Sequence, residues 1–302
     1  MAAIVDHSNQ EKRITLTFHT IQASTKQDFS ITGKTCDGKY SFLVVADGHG
    51  RWSTHTINYL RAVDWTKVIS DDNFMERIIK DTNELRTRGE GSTLSVVRIL
   101  DNHIIAGGHG DVGIQGGDIE VFFIGDSSVK IYCDGNQIYR TKDHDCNNAE
   151  EVKLIMETCN MRGIQRDGVW DIEVVDEETI KSVPSAIFDF GGTDTINMTN
   201  ALGHNGRTGP ILGYNKIRMN SDKTYKIVAG SDGFWGMTCV ADHEFIAEEK
   251  QDATTLAEFA HARWHQKWKH DNTQQIVHNV MFPKDNIDDL CVAVALIKPL
   301  VL

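Results

Sequence analysis

The chain of 302 residues carries 31 Lys and Arg against 43 Asp and Glu, a net charge of −12 with histidine neutral. So acidic a chain repels phosphate backbones, which argues against nucleic acid as a partner and favours cationic or metal-bearing ones. With 40% hydrophobic and 25% charged residues it reads as a soluble globular protein rather than a disordered one, and 4 Pro against 25 Gly predict tight turns with little linker.

The opening MAAIVDHSNQEKR is too polar for a signal peptide, and no apolar run approaches the roughly 18 residues of a membrane span. Cys36, Cys133, Cys146, Cys159, Cys239 and Cys291 lie at least thirteen residues apart, which leaves no C-x-x-C pair and no zinc-ribbon spacing. The expectation is free thiols in a reducing compartment, cytoplasmic or nuclear. There the glycosylation pattern Asn197-Met-Thr199 carries no meaning.

In chain order, Ile14–Thr20 reads as a strand, and Phe29–Ile31 with Tyr40–Ala46 flank Asp37-Gly38 as a hairpin. A helix is predicted over Arg51–Trp65, where Trp52, Ile57, Leu60 and Val63 recur at near-helical spacing. A second follows over Asp72–Arg86, with Phe74, Ile78, Ile79 and Leu85. Strands resume at Leu94–Ala106, Ile119–Ile124 and Val129–Cys133, the last two joined by Asp126-Ser127 as a hairpin turn. Ala149–Thr158 and Thr255–Lys269 read as helices, Tyr225–Ala229 and Leu290–Ile297 as strands.

Several strands are nearly continuous in Val, Ile and Phe, as expected of strands covered on both faces. Two consecutive helices between groups of strands do not fit a repeating βαβ sheet. They fit an α+β layering with helices outside stacked sheets. No linker and no internal repeat divides the chain, so residues 1–302 are expected to form a single domain.

The chemistry is carried by a recurrence, an apolar run that meets an aspartate. Tyr40–Ala46 runs into Asp47-Gly48-His49-Gly50, Ile119–Ile124 into Gly125-Asp126-Ser127, and Tyr225–Gly230 into Ser231-Asp232-Gly233. Gln27-Asp28 precedes Phe29–Ile31, and Asp285-Asn286 precedes Leu290–Ile297. Any one of these is ordinary turn chemistry. If the strand ends converge, however, up to five carboxylates share a small volume, which like-charge repulsion forbids unless cations bind. Oxygen-only donors suit Mg²⁺ or Mn²⁺ rather than zinc or copper.

Five ordered segments carry a resemblance: Phe42-Leu-Val-Val-Ala-Asp-Gly-His-Gly50, Gly91-Ser-Thr93, Phe123-Ile-Gly-Asp-Ser127, Val228-Ala-Gly-Ser-Asp-Gly-Phe-Trp235 and Lys284-Asp-Asn286. Asp143-His144 with Glu150 or Glu151, and Asn200-Ala-Leu-Gly203, add weaker matches. Over about residues 20–298 the sequence resembles a divergent member of the metal-dependent protein phosphatases of the 2C type. The resemblance implies a four-layer α/β/β/α sandwich of two antiparallel sheets flanked by helices. It also implies two Mg²⁺ or Mn²⁺ ions in a cleft at one end, and a phosphorylated protein as substrate, with no nucleic acid or membrane as partner.

On that likeness Asp47 would bridge both ions, Asp232 and Asp285 would complete one site, and the Gly48 carbonyl with Gln27 would serve the other. Asp28 would orient the attacking water and His49 would protonate the leaving serine or threonine oxygen. A phosphate monoester dianion repels nucleophiles, and two divalent ions both lower the pKa of a shared water and draw in the phosphoryl oxygens. Two such ions against three carboxylates leave a net positive site for an anionic substrate. An imidazole titrates in the range needed to supply the proton.

Three positions depart from the family pattern. Its Glu-Asp is Gln27-Asp28 here, and an amide oxygen brings no charge to a cation. A phosphate-clamping Arg is replaced by Ala23, leaving Lys26 or Arg51 as substitutes or as solvated surface charges. A third, weaker ion site would need an aspartate at Gly236, so Asp126 is either a remnant of that site or a turn residue.

Other matches fail on context. Gly108-His-Gly110-Asp-Val-Gly113 fits a dinucleotide fingerprint but is followed by a further strand. His261 and His265, with His270 near, lack the glutamate of a zinc-protease helix, since Ala262 stands in its place. Trp264, Trp268 and Phe259 read as packing residues. Two other functions stay open from sequence: a catalytically weak module that binds phosphoproteins or kinases, and a hydrolase of small phosphoesters.

Overall fold

The computed structural model describes residues 14–23, 26–50, 55–85, 89–100, 117–146, 148–158, 163–189, 195–204, 207–209 and 211–299. Two antiparallel sheets dominate. One has the order Ile14–Ile21, Leu290–Ile297, Tyr225–Gly230, Ser128–Cys133, Asn136–Arg140. The other has the order Leu202–Gly203, Glu90–Ser92, Tyr40–Gly50, Leu94–Leu100, Asp118–Ile124, Gly213–Arg218, and Asp28–Lys34 also pairs with Tyr40–Gly50.

The two-residue period of the strands builds the layers. Leu43, Val45, Val97, Ile99, Val121 and Phe123 face Val129, Ile131, Ile227, Ala229, Ala293 and Ala295, forming a buried core between the sheets. The alternate residues Phe42, Val44, Ala46, Val96 and Phe122 face outward. There they meet Ile57, Leu60, Trp65, Phe74 and Ile78 from helices His55–Ala62, Trp65–Val68 and Phe74–Glu84 and the adjoining turns. On the far side Val228, Val292 and Val294 meet Leu256, Ala257 and Ala260 of helix Ala253–His265. That helix starts where Asp252 accepts the Thr255 amide at 2.8 Å. Both faces of both sheets are therefore covered, which is why these strands lack a polar face in sequence.

Helix Ala149–Thr158 and strand Leu290–Ile297 have the bounds expected of them. Helix Arg51–Trp65 is shorter than predicted, starting among the described residues at His55 and ending at Ala62, with Trp65–Val68 as a separate turn of helix. Thr255–Lys269 ends early, at His265. Gln266 is extended, and the buried Trp268 donates its indole N–H to the Arg263 carbonyl at 3.1 Å and opens a strand. Positions 51–54 and 101–116, which hold Arg51, the end of the Leu94–Ala106 run and the Gly108–Gly113 match, lie outside the described residues, as does Cys159.

Two further sheets were not foreseen. One joins Trp170–Val174, Thr179–Pro184, Trp268–Asp271 and Ile276–Val280, and its Thr179–Pro184 pair with Trp268–Asp271 is parallel. The other joins Gly163–Gln165, Ile187–Asp189 and Thr195–Ile196. Their strands are short and largely solvent-facing, so no apolar run announces them. Asp126-Ser127 is also not a hairpin. Asp118–Ile124 and Ser128–Cys133 belong to different sheets, and the turn carries the chain from one to the other. That crossing puts Asp126 where the two sheets meet.

Candidate active site

Asp28 and Asp47 are direct partners in the ladder between strands Asp28–Lys34 and Tyr40–Gly50. Two like charges opposite one another in a sheet are destabilising by themselves. The Asp47 backbone is fixed by Thr93, whose amide donates to the Asp47 carbonyl at 2.8 Å and whose Oγ1 accepts the Asp47 amide at 3.1 Å. Gly48 donates to the Gln27 carbonyl at 3.1 Å, and the Gln27 amide nitrogen donates to the Gly50 carbonyl at 3.2 Å. Gln27 is thereby held by its nitrogen end, leaving its side-chain oxygen outside that bond.

From the other sheet, Asp232 opens the short helix Asp232–Trp235 at the end of strand Tyr225–Gly230, accepting the Gly233 amide at 2.7 Å. Trp264 donates to the Gly233 carbonyl and Trp235 to the Ser128 carbonyl, both at 2.9 Å, so the two indoles brace this turn.

Asp288, not Asp285, joins these acids. A Cβ placed on Gly233 would lie 3.4 Å from the Asp288 Cβ, and the carboxylates acting most strongly on Asp47 are Asp232, Asp28 and Asp288. Asp285 sits exposed on the turn Lys284–Asn286. The reason is distance along the chain. The ladder begins at Leu290, so Asp288 stands just before the strand end while Asp285 is still in the approach. The adjoining Asp289 is buried, and its two oxygens accept the Ala23 and Gln27 amides, the latter at 2.7 Å, which shapes the chain ahead of Asp28. The signal for both was the Asp-Asp pair abutting an apolar run, the same logic that selected Asp47.

The electrostatics are those of an uncompensated cluster. Burial, then the Asp232 and Asp28 charges, holds the Asp47 carboxyl well above the usual range. Burial pushes Asp28 up to about 7 against the hydrogen bond of Ser231, with Asp232 and Asp289 adding to the rise. Asp288 is solvent-exposed, yet neighbouring protein atoms and the charges of Asp232 and Asp28 push it up to about 8. Asp126 is raised well above its ordinary value by burial, then by Asp232 and Asp143. It thus belongs to the cluster rather than to an isolated turn. His144 braces it from behind, its Nδ1 accepting the Gly125 amide at 3.2 Å, while Glu151 rather than Glu150 reaches Asn200, at 3.0 Å.

His49 ends strand Tyr40–Gly50 in a setting the sequence did not indicate. Its ring stacks on that of His204, centroids 4.6 Å apart, and their Nε2 atoms share a hydrogen bond. Burial, and then His204, lowers the His49 pKa to about 3, so the ring is neutral. Its Nδ1 is buried with no hydrogen-bond partner.

Among the described residues no three His, Cys, Asp or Glu side chains are placed so that together they could hold a metal ion. The carboxylates instead adjoin in a chain, Asp288 and Asp28 to Asp232 and Asp47, then Asp232 to Asp126 and Asp126 to Asp143. The chemistry nevertheless fits a hard divalent cation. All donors are oxygens, Asp28 Oδ2 and Asp126 Oδ1 are buried without a hydrogen-bond partner, and no Lys or Arg is paired with Asp28, Asp47 or Asp232 among the ion pairs of the described residues. Gly236 follows Trp235 in the place of a further acid, and its amide donates to the Asp232 carbonyl at 2.6 Å. Lys26 is exposed, and Arg61, unforeseen in sequence, donates to the Lys26 and Asp28 carbonyls at 2.8 and 3.0 Å.

The decoys resolve as packing. His261 and His265 meet edge to face, His270 bonds Ser182 at 2.9 Å on a different element, and Trp268 is buried.

No protein-family model matches this sequence, and no curated protein matches it significantly. Solved structures do. A serine-threonine phosphatase 2C from Toxoplasma gondii aligns with a TM-score of 0.58 at 12% identity, covering 94% of this chain and 95% of its own. A serine/threonine phosphatase of S. agalactiae aligns at 0.53 and 19% identity, covering 93% and 98%. A sex-determining protein of C. elegans aligns at 0.57 and 13%, covering 97% of this chain and 67% of its own. At such identities the likeness is one of architecture. The chain has the α+β sandwich fold of the 2C-type serine/threonine phosphatases.

Proposed function

We propose that the protein is a Mg²⁺- or Mn²⁺-dependent phosphatase of phosphoserine and phosphothreonine in proteins, acting through a single catalytic unit. The observation that carries this reading is the gathering of Asp28, Asp47, Asp126, Asp232 and Asp288 at the meeting edge of two sheets, with no Lys or Arg paired to them among the described residues. Divalent ions bound there would neutralise the acids, activate a water and attract the phosphoryl oxygens.

Asp47, Asp232 and Asp288 are the acids proposed to hold the ions, with Gln27 and the Gly48 carbonyl as neutral donors. Asp28, the most enclosed of the strand-end acids, is proposed to orient the attacking water through its unpartnered oxygen. His49 is proposed to deliver a proton to the leaving oxygen. A neutral imidazole can hydrogen-bond the leaving oxygen through its N–H. To deliver a proton it must first take one up as imidazolium, and it returns to neutral when the leaving oxygen is protonated.

The test is hydrolysis of an aryl phosphate. Activity should appear with Mn²⁺, disappear with chelator, and drop by orders of magnitude in Asp47→Asn. Turnover undiminished by chelator discards the mechanism. A second reading, a phosphoprotein-binding module with little turnover, is favoured by the engagement of His49 with His204 and by Ala23 in place of a clamp. Phosphopeptide binding by a wild-type protein that turns over nothing would select it.

A further inference from the structure

His204 lies just past the segment Asn200-Ala-Leu-Gly203, and three backbone features bring its ring to His49. In the ladder His49 is opposite Gly91 and Gly91 is opposite Gly203, so the three strand ends lie side by side. A Cβ on Gly91 would stand 2.2 Å from His204 Nε2, so the ring passes through space that only glycine leaves open. Gly203 and His204 both have positive φ, 81° and 54°, a left-handed turn uncommon outside glycine. The outcome is a ring 2% exposed, stacked at 20° on His49 and bonded to it through Nε2.

We propose that His204 is a positioning residue for His49, fixing the plane of its imidazole and deciding which of its nitrogens carries the proton. In a hydrogen bond between two neutral imidazoles one Nε2 donates and the other accepts, so the state of one ring dictates the tautomer of the other. On its other side the buried Nδ1 of His49 makes no full hydrogen bond, although the Asp47 backbone also acts on the ring. The inference rests on His49 as proton donor to the leaving group.

Two measurements on the full chain test it. Nitrogen-15 spectra of the histidines, recorded with diamagnetic Mg²⁺, should show one tautomer of His49 in the wild type. A mixture should appear in His204→Asn, chosen because asparagine tolerates positive φ. In turnover, His204→Asn should lower kcat on a phosphoserine peptide about tenfold or more with KM unchanged. On p-nitrophenyl phosphate, whose leaving group needs no proton, the change should stay within about twofold. His49→Ala combined with His204→Asn should be no slower on the peptide than His49→Ala alone. Equal loss on both substrates, or additive losses in the pair, overturns the proposal. If the wild type hydrolyses neither substrate, the proposed function fails while the spectra still decide the pairing. A single tautomer lost on substitution supports it, and an averaged His49 in the wild type overturns it.

Discussion

Asp285 and Asp288 are three residues apart and chemically identical, yet only one reaches the acidic cluster. The apolar run Leu290–Ile297 was plain from sequence, but two acidic sites precede it, and the motif match favoured the farther one. Both are exposed, but the side chain that matters is set by where the ladder begins. Asp288, just before its first pair, is delivered beside Gly233 and acts on Asp47, whereas Asp285 is still in the approach. Asp288→Asn is therefore expected to weaken Mn²⁺ binding, read by titration calorimetry, by about tenfold or more. Asp285→Asn should leave it unchanged within twofold, because its carboxylate is not among those acting on Asp28, Asp47 or Asp126. Reversal of that order would restore Asp285 to the site.

Short connecting segments aim the acids as much as the strands do. The Asp289 carboxylate accepts two backbone amides, from Ala23 and Gln27, and Arg61 holds the carbonyls of Lys26 and Asp28. Asp289→Ala leaves those amides without their charged acceptor, a loss of about 2–3 kcal/mol for the segment. Hydrogen exchange over residues 26–28 should accelerate, and Mn²⁺ affinity should fall although Asp289 itself is committed to the backbone. The Gly125 turn is equally constrained, with φ of 97° and a Cβ position 2.6 Å from Thr93 Cγ2. Gly125→Ala must push against the residue that fixes Asp47. The expected outcome is lost activity together with a melting point lowered by several degrees, whereas a variant as stable and active as wild type would contradict that packing.

Across the molecule the acids make stability depend on pH in a direction opposite to that of ordinary salt-bridged proteins. Asp28, Asp47, Asp126 and Asp288 all have carboxyl pKa values raised by folding, so the native state keeps protons that the unfolded chain has already released. Without metal, stability should fall as pH rises from the unfolded carboxylate range toward 8. Two groups with the opposite sign bound the useful window. Buried His49, lowered to about 3, costs stability as pH drops below about 6.5. Lys130 and Lys226, lowered by burial to about 8, restore stability above that pH. Between about pH 6.5 and 8 the raised carboxyls outweigh the lowered histidines, whose unfolded forms are losing their last protons, with Asp28 contributing about 1 kcal/mol of the decline. Urea midpoints in chelator should drop over that interval, and saturating Mn²⁺ should abolish the drop. A flat profile in chelator would mean the acids already have counter-ions within the protein.

Much of this architecture was legible because burial on both faces writes itself into composition. The runs at Tyr40, Ile119, Tyr225 and Leu290 are nearly continuous in apolar residues, so the central strands, the helices packed on them and the acids at four of the strand ends could be read from periodicity and from ordered motifs. The two small sheets could not, since Trp170–Val174 and Ile276–Val280 are short and solvent-facing and leave no apolar trace. Nor could the partners that span the chain. His204 on His49, Asp289 on Ala23 and Gln27, and Arg61 on Asp28 join residues dozens to hundreds of positions apart. Local sequence chooses strand, helix or turn because those depend on neighbours within a few residues. The company a carboxylate or an imidazole keeps depends on which strand ends the packed sheets bring together, and that is decided only when the layers close.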